Sequence, residues 1–193
     1  MSFTLALSLL LPPLAGAEAS GTSAAWPAPV AEEKTAPSRL APLAVDSRWR
    51  PYFERAADDL LAALRSRDER RWGPLLGGIW LSKNDRLRVA ALLDDPEGVF
   101  APLMTDDAPI RRHILGWAPP AAYSPAERSE LAAGPEAEAL ICWSAGGDAR
   151  PAVAAQADNA PGRGYACARI AYSLREDMPR WRAFIDGPGI GPA

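Results

Sequence analysis

One histidine (His113), two lysines (Lys34 and Lys83) and two cysteines (Cys142 and Cys167) are all that this 193-residue chain holds of those three side chains. The shortage of His and Cys excludes most of the zinc repertoire, which needs several such ligands at set spacings. No metal and no cofactor is expected. A histidine-dependent hydrolase would have to use His113 itself. Trp143-Ser144-Ala145-Gly146 is faintly similar to a nucleophile elbow. However, Cys142 stands where the first glycine belongs, and in that fold the histidine follows the serine, whereas His113 precedes it. His113 therefore reads as a solvated or hydrogen-bonded residue beside Arg111 and Arg112.

Lysine is scarce because arginine has replaced it, at 19 of the 21 basic positions. Arginine suits bidentate phosphate or carboxylate binding. Here it comes with 20 prolines, 15 glycines and abundant alanine, which is the codon usage of a GC-rich genome. The net charge of −3 leaves no electrostatic footprint for nucleic acid or for an anionic membrane. Long apolar runs are missing too. Phe3–Leu11 falls well short of the roughly 20 residues that span a bilayer. Pro161-Gly162-Arg163-Gly164 lacks the Lys-Ser/Thr of a phosphate loop and precedes a strand. The acidic doublets Asp58-Asp59, Asp94-Asp95 and Asp106-Asp107 have no calcium-loop spacing, and helix-end roles account for the last two.

What is present begins with an export pattern. Phe3–Leu11, then Pro12-Pro13, then the small residues Ala15-Gly16-Ala17 predict a secretory signal over 1–17, and a periplasmic or secreted product. Residues 18–46, with Pro27, Pro29, Pro37 and Pro42, read as a flexible Ala/Pro-rich tether. Residues 47–190 read as a single domain.

That domain opens with helices. Trp49, Phe53, Ala56, Leu60 and Leu64 form one stripe, with Pro51 tolerated in the first turn. Ser66-Arg67-Asp68-Glu69 has capping-box spacing and predicts a second helix through Trp72, Leu75 and Leu76 to Gly77-Gly78. Ser82 starts a third, which Pro96 closes. Asp107 with Pro109 predicts a short helix through Arg111 to Trp117, with a strand as the alternative. Ser124-Pro125-Ala126-Glu127 predicts a capped helix that Gly134-Pro135 stops. Three apolar strands follow, over 139–143, 165–174 and 180–186, the last two as a hairpin. The fold class is α+β, with N-terminal helices packed on a C-terminal antiparallel sheet of three or more strands.

Cys142 and Cys167 are the whole cysteine complement, 25 positions apart on neighbouring predicted strands. In an exported protein such a pair is expected to form an intramolecular disulfide. The seven tryptophans include Trp80, Trp143 and Trp181, which are the expected lining of any pocket.

Asp59–Asp68 (Asp-Leu-Leu-Ala-Ala-Leu-Arg-Ser-Arg-Asp) resembles the opening helix of the nuclear-transport-factor-2-like (cystatin-like) superfamily. Pro179–Asp186 (Pro-Arg-Trp-Arg-Ala-Phe-Ile-Asp) resembles its last strand. The resemblance covers about a fifth of the folded part and implies a cone-shaped cavity, but no activity. Two functions are then open. One is a non-catalytic exported domain binding a small molecule or an envelope component. The other is a small-pocket hydrolase or lyase using a carboxylate such as Asp186 with an Arg or Tyr. No residue is identified as catalytic.

Overall fold

A computed structural model describes residues 39–78, 81–105, 109–118, 123–175 and 180–187. The proposed signal segment, most of the tether and Trp80 lie outside the described residues. Five strands, β1 (Leu40–Pro42), β2 (Ile110–Trp117), β3 (Glu136–Ala145), β4 (Ala166–Ser173) and β5 (Arg180–Phe184), form one sheet. They lie in sequence order, and every neighbouring pair is antiparallel. The helices α1 (Arg50–Arg65), α2 (Glu69–Trp72), α3 (Lys83–Asp94) and α4 (Pro125–Ala133) mostly precede it. The α+β class with antiparallel strands is therefore as the sequence implies.

The central strands read as unbroken apolar runs because they are covered on both faces where those runs fall. Along β3, Ala139, Ile141 and Trp143 turn to the helical side, and Leu140, Cys142 and Ser144 to the other. The helical side meets α1, whose Phe53, Ala56, Ala57, Leu60, Ala63 and Leu64 are buried against Ile114, Ile141, Ile170 and Tyr172. Trp49, Tyr52 and Phe53 gather around Tyr172 with ring centroids 5.3–6.1 Å from it. Such tilted contacts add to plain area burial.

The helix ends are set locally. Pro51 sits in the first turn of α1, and at the far end the Ser66 hydroxyl donates to the Ala63 carbonyl at 2.6 Å. The predicted second helix is only one turn. Asp68, not Ser66, caps it by accepting from the Arg70 N–H at 2.9 Å. Pro74 has no N–H to continue the helical ladder, and Gly77 then takes φ +114°. The Arg86 guanidinium holds this turn, donating to the Gly78 carbonyl at 2.7 Å and the Leu81 carbonyl at 3.1 Å. Ser82 caps α3, and Ser124 with Glu127 forms the full capping box of α4. Helix α4 buries none of its residues, and Arg48 ties down its end by donating to the carbonyls of Ala133 and Gly134.

Two expectations are corrected. Residues 110–117 are a strand, not a helix: Ile110, Arg112 and Ile114 alternate onto the helical face, and β3 supplies the ladder. The stretch read as tether contains β1, which pairs Leu40, Ala41 and Pro42 with Trp117, Gly116 and Leu115. Pro42 is admissible because an edge strand needs fewer N–H donors.

The disulfide is formed between directly opposed Cys142 and Cys167, whose Cα atoms are 4.1 Å apart. It lies at the centre of a second small core on the far face, with Leu115, Leu140, Ala157 and Tyr165. The chain between β3 and β4 supplies the cover for this core. Buried Asn159 fastens that cover: its side-chain oxygen accepts from the Cys167 N–H at 2.7 Å, and its amide donates to the Cys167 carbonyl at 2.9 Å. The same amide also reaches the carbonyl of Asp186. Among the described residues, no helix is long and apolar enough to cross a membrane.

Candidate functional site

Helix α1 carries Arg50, Glu54, Asp58, Leu61 and Arg65 at steps of four, four, three and four, a stripe beside its buried one. Facing it, β2 presents Ile110, Arg112 and Ile114 at the strand period of two, and Trp143 of β3 closes the back. Together they line a cleft of about 570 Å³. Its walls combine Ile110, Ile114, Leu61 and Trp143 with a rim of three guanidiniums and two carboxylates. The volume falls within the roughly 300–1,000 Å³ of ligand sites, and the accessible lining is mainly polar.

The rim is pre-ordered. Arg50 donates to Glu54 Oε1 at 3.2 Å and to the Leu43 carbonyl at 2.8 Å. Arg65 donates to the Leu103 carbonyl at 2.7 Å and the Thr105 carbonyl at 3.3 Å. Arg112 crosses from β2 to α1, where it bonds the Asp58 carboxylate and the Glu54 carbonyl. Trp143 is almost wholly buried, and its indole N–H has no acceptor among the described residues. The indole N–H of Trp72 is also unpaired, but Trp72 does not line this cleft.

A second concavity, of about 610 Å³, lies on the sheet's opposite face. In register across three strands run Glu136, Ser173 and Arg180, then Glu138, Ala171 and Arg182. Small central residues leave a trough between an acidic strand and a basic one. Its carboxylates are already engaged, Glu136 with Arg175 at 2.8 Å and Glu138 with Arg169 at 3.5 Å.

The expected tryptophan lining does not assemble into one pocket among the described residues. Trp143 lines the cleft, whereas Trp181 borders the trough but turns its indole to the helical face with Tyr172. Trp181 lies opposite Tyr172, which is paired with Ala137, and Ala137 is six positions from Trp143 along β3. The two indoles are therefore anchored about 20 Å apart along the sheet. Asp186, the carboxylate singled out for acid–base work, is exposed, and its carbonyl is what meets Asn159.

His113 does meet Ser144, an arrangement that chain order alone did not anticipate. Pairing of His113 with Cys142 puts Ser144 diagonally across, with Nε2 3.4 Å from Oγ. The serine hydroxyl donates to the Gly147 carbonyl, so its proton points away from the imidazole. Ser144 is 1% exposed, closed to any substrate. The pair fixes the turn after β3 and does not form a nucleophile. Burial, followed by the charge of Arg150, lowers the His113 pKa, and Arg111 adds to this against Asp148. Arg111 itself is paired with Asp148 at 2.6 Å.

Compared with known proteins, the chain matches no family model, no curated protein and no solved structure.

Proposed function

We propose that this is an exported, non-catalytic binding domain whose ligand enters the cleft between α1 and β2. The observation that carries the reading is the cleft itself, which has Trp143 in its lining and three guanidiniums already held in place on its rim. Export is supported by the Phe3–Leu11 run, by Ala15-Gly16-Ala17 and by the disulfide, a bond that persists in oxidising compartments. The ligand is a small molecule or a segment of an envelope component. The enzymatic alternative, a small-pocket hydrolase or lyase of nuclear-transport-factor-2-like fold, wants a carboxylate free to take a proton. Glu54 and Asp58 are instead tied to Arg50 and Arg112, which favours binding over proton transfer.

The test is a thermal-shift screen of small polar compounds and peptides on the wild type and on Leu61→Trp, which fills the cleft from α1. A bound ligand raises the melting temperature by mass action. Compounds that stabilise the wild type and leave Leu61→Trp unmoved are the expected result. Hits that stabilise both proteins equally would place binding elsewhere.

A further inference from the structure

The geometry points to the ligand's class: an extended acidic peptide segment that adds to the sheet as a strand on the free edge of β2, with one side chain in the cleft. This rests on the cleft reading above. The Leu43 N–H donates to the Ile114 carbonyl at 2.8 Å, so the backbone groups of Ile114 face away from β3. By the alternation of an antiparallel ladder, those of Arg112 and Ile110 face the same way, while those of Arg111 and His113 face β3. β1 covers only the Leu115–Trp117 end. After Leu43 the chain turns through Ala44–Ser47 into α1. Among the described residues, nothing bonds the outward backbone groups of Ile110 or Arg112. The open stretch from Ile110 to His113 is about 13 Å long, room for a four-residue strand.

Exposed edges are ordinarily shielded by charged side chains or by covering chain. The far edge of this sheet has such a cover, since the Ala183 N–H donates to the Leu75 carbonyl at 2.8 Å. On β2 the two candidate shields are folded back onto their own chain, Arg111 on Asp148 and Arg112 on Asp58 and Glu54. Among the described residues, nothing covers this edge beside the cleft.

A residue opposite Arg112 would point to the helical side, toward Arg112 and Trp143. Its neighbour would point to the other face, beside Arg111. Consecutive arginines thus place one guanidinium on each side of the incoming strand, where an acidic side chain would share or displace the present partner, Asp148 for Arg111 and Asp58 for Arg112, and the cleft rim holds three guanidiniums against two carboxylates. Two adjacent acidic residues match this. A second copy of the chain does not, because twofold pairing through this edge sets arginine opposite arginine, and like charges directly across a ladder repel.

The probe is the peptide acetyl-Thr-Val-Glu-Glu-Val-Thr-amide, with an analogue N-methylated at alternate amides. Both are added at millimolar concentration to the full ¹⁵N-labelled chain, and amide hydrogen exchange is followed by NMR. Exchange at Arg112 should slow by about tenfold or more, Arg111 and His113 should be unchanged, and the N-methylated analogue should give no protection. A peptide that shifts the Trp143 indole resonance without protecting Arg112 overturns strand addition and leaves the cleft reading standing. A peptide that does neither overturns the inference, while the small-molecule screen still decides the cleft. Protection of Arg112 that grows with protein concentration and needs no peptide assigns the edge to a second copy and also overturns it.

Discussion

On its helical face the sheet lays Ile141, Trp143, Ile170 and Tyr172 against a sixteen-residue helix, and the cover is held mainly by apolar area, with Arg112 as a polar tie to α1 at its margin. On its other face the cover is loop between β3 and β4, with a single 3₁₀ turn at Ala154–Gln156, and few large apolar side chains lie beneath it. That loop is held by point fastenings: the Cys142–Cys167 bond beneath it and the three contacts of Asn159. A regular helix buries enough surface to need no staple. An irregular segment carries backbone polar groups that must each find a partner, and Asn159 supplies partners where β5 stops pairing with β4. The concavities differ too. Both have carboxylates already paired, but the cleft beside α1 is lined by a buried indole whose N–H has no partner among the described residues.

The contrast can be broken from the helical side first, where the largest effect is expected. Phe53→Ala removes a side chain that is 1% exposed and in contact with Tyr172. It should cost about 3–5 kcal/mol in denaturant unfolding, the usual range for a large core truncation. On the other face, replacing both Cys142 and Cys167 by alanine should cost about 3.5 kcal/mol on the chain-entropy model for a loop of this length. Calorimetry should then show the melting temperature lower by about 10 °C. Asn159→Ala leaves the Cys167 N–H and carbonyl unpaired in a buried setting, and should cost about 2–3 kcal/mol. If Asn159→Ala instead costs as much as Phe53→Ala, the loop is part of the main core and the distinction between the faces fails.

The smallest expected effect is that of His113, and it has a definite sign. Its folded pKa lies below the ordinary 6.5, so the neutral ring is the form the fold prefers. Its contribution is intact above that ordinary value and is lost as pH falls through the depressed folded value. Stability should therefore decline from about pH 6.5 downward, and His113→Gln should flatten that decline in urea unfolding measured across the range. A variant as pH-sensitive as the wild type would assign the decline to carboxylates instead.

What could be read from sequence was whatever depends on neighbours a few positions apart. The α1 stripe, the capping box at Ser124 and the β4–β5 hairpin are of this kind. The disulfide was also legible, because two cysteines on neighbouring strands, the whole cysteine complement of the chain, have one another as the obvious partner. β2 was legible as a strand only as the alternative to a helix, since Arg111-Arg112-His113 breaks its apolar alternation. Those residues are tolerable there because Asp58 and Glu54 on α1 and Asp148 after β3 receive the two arginines. β1 hid in a proline-rich stretch, because three residues on an edge carry no periodicity. The cleft was out of reach for the same reason. Arg50 and Trp143 meet only once the β2–β3 register is known, and the Ser144–His113 contact depends on that same register.

The most direct measurement for the central claim uses the indole resonance of Trp143 and the backbone amide of Ala171, which report the cleft and the trough separately. In a ¹H–¹⁵N spectrum of the protein titrated with any stabilising ligand, the Trp143 indole signal should shift, and the Ala171 amide should stay in place. A ligand that moves Ala171 and leaves Trp143 unchanged would put the binding site in the trough and contradict the account.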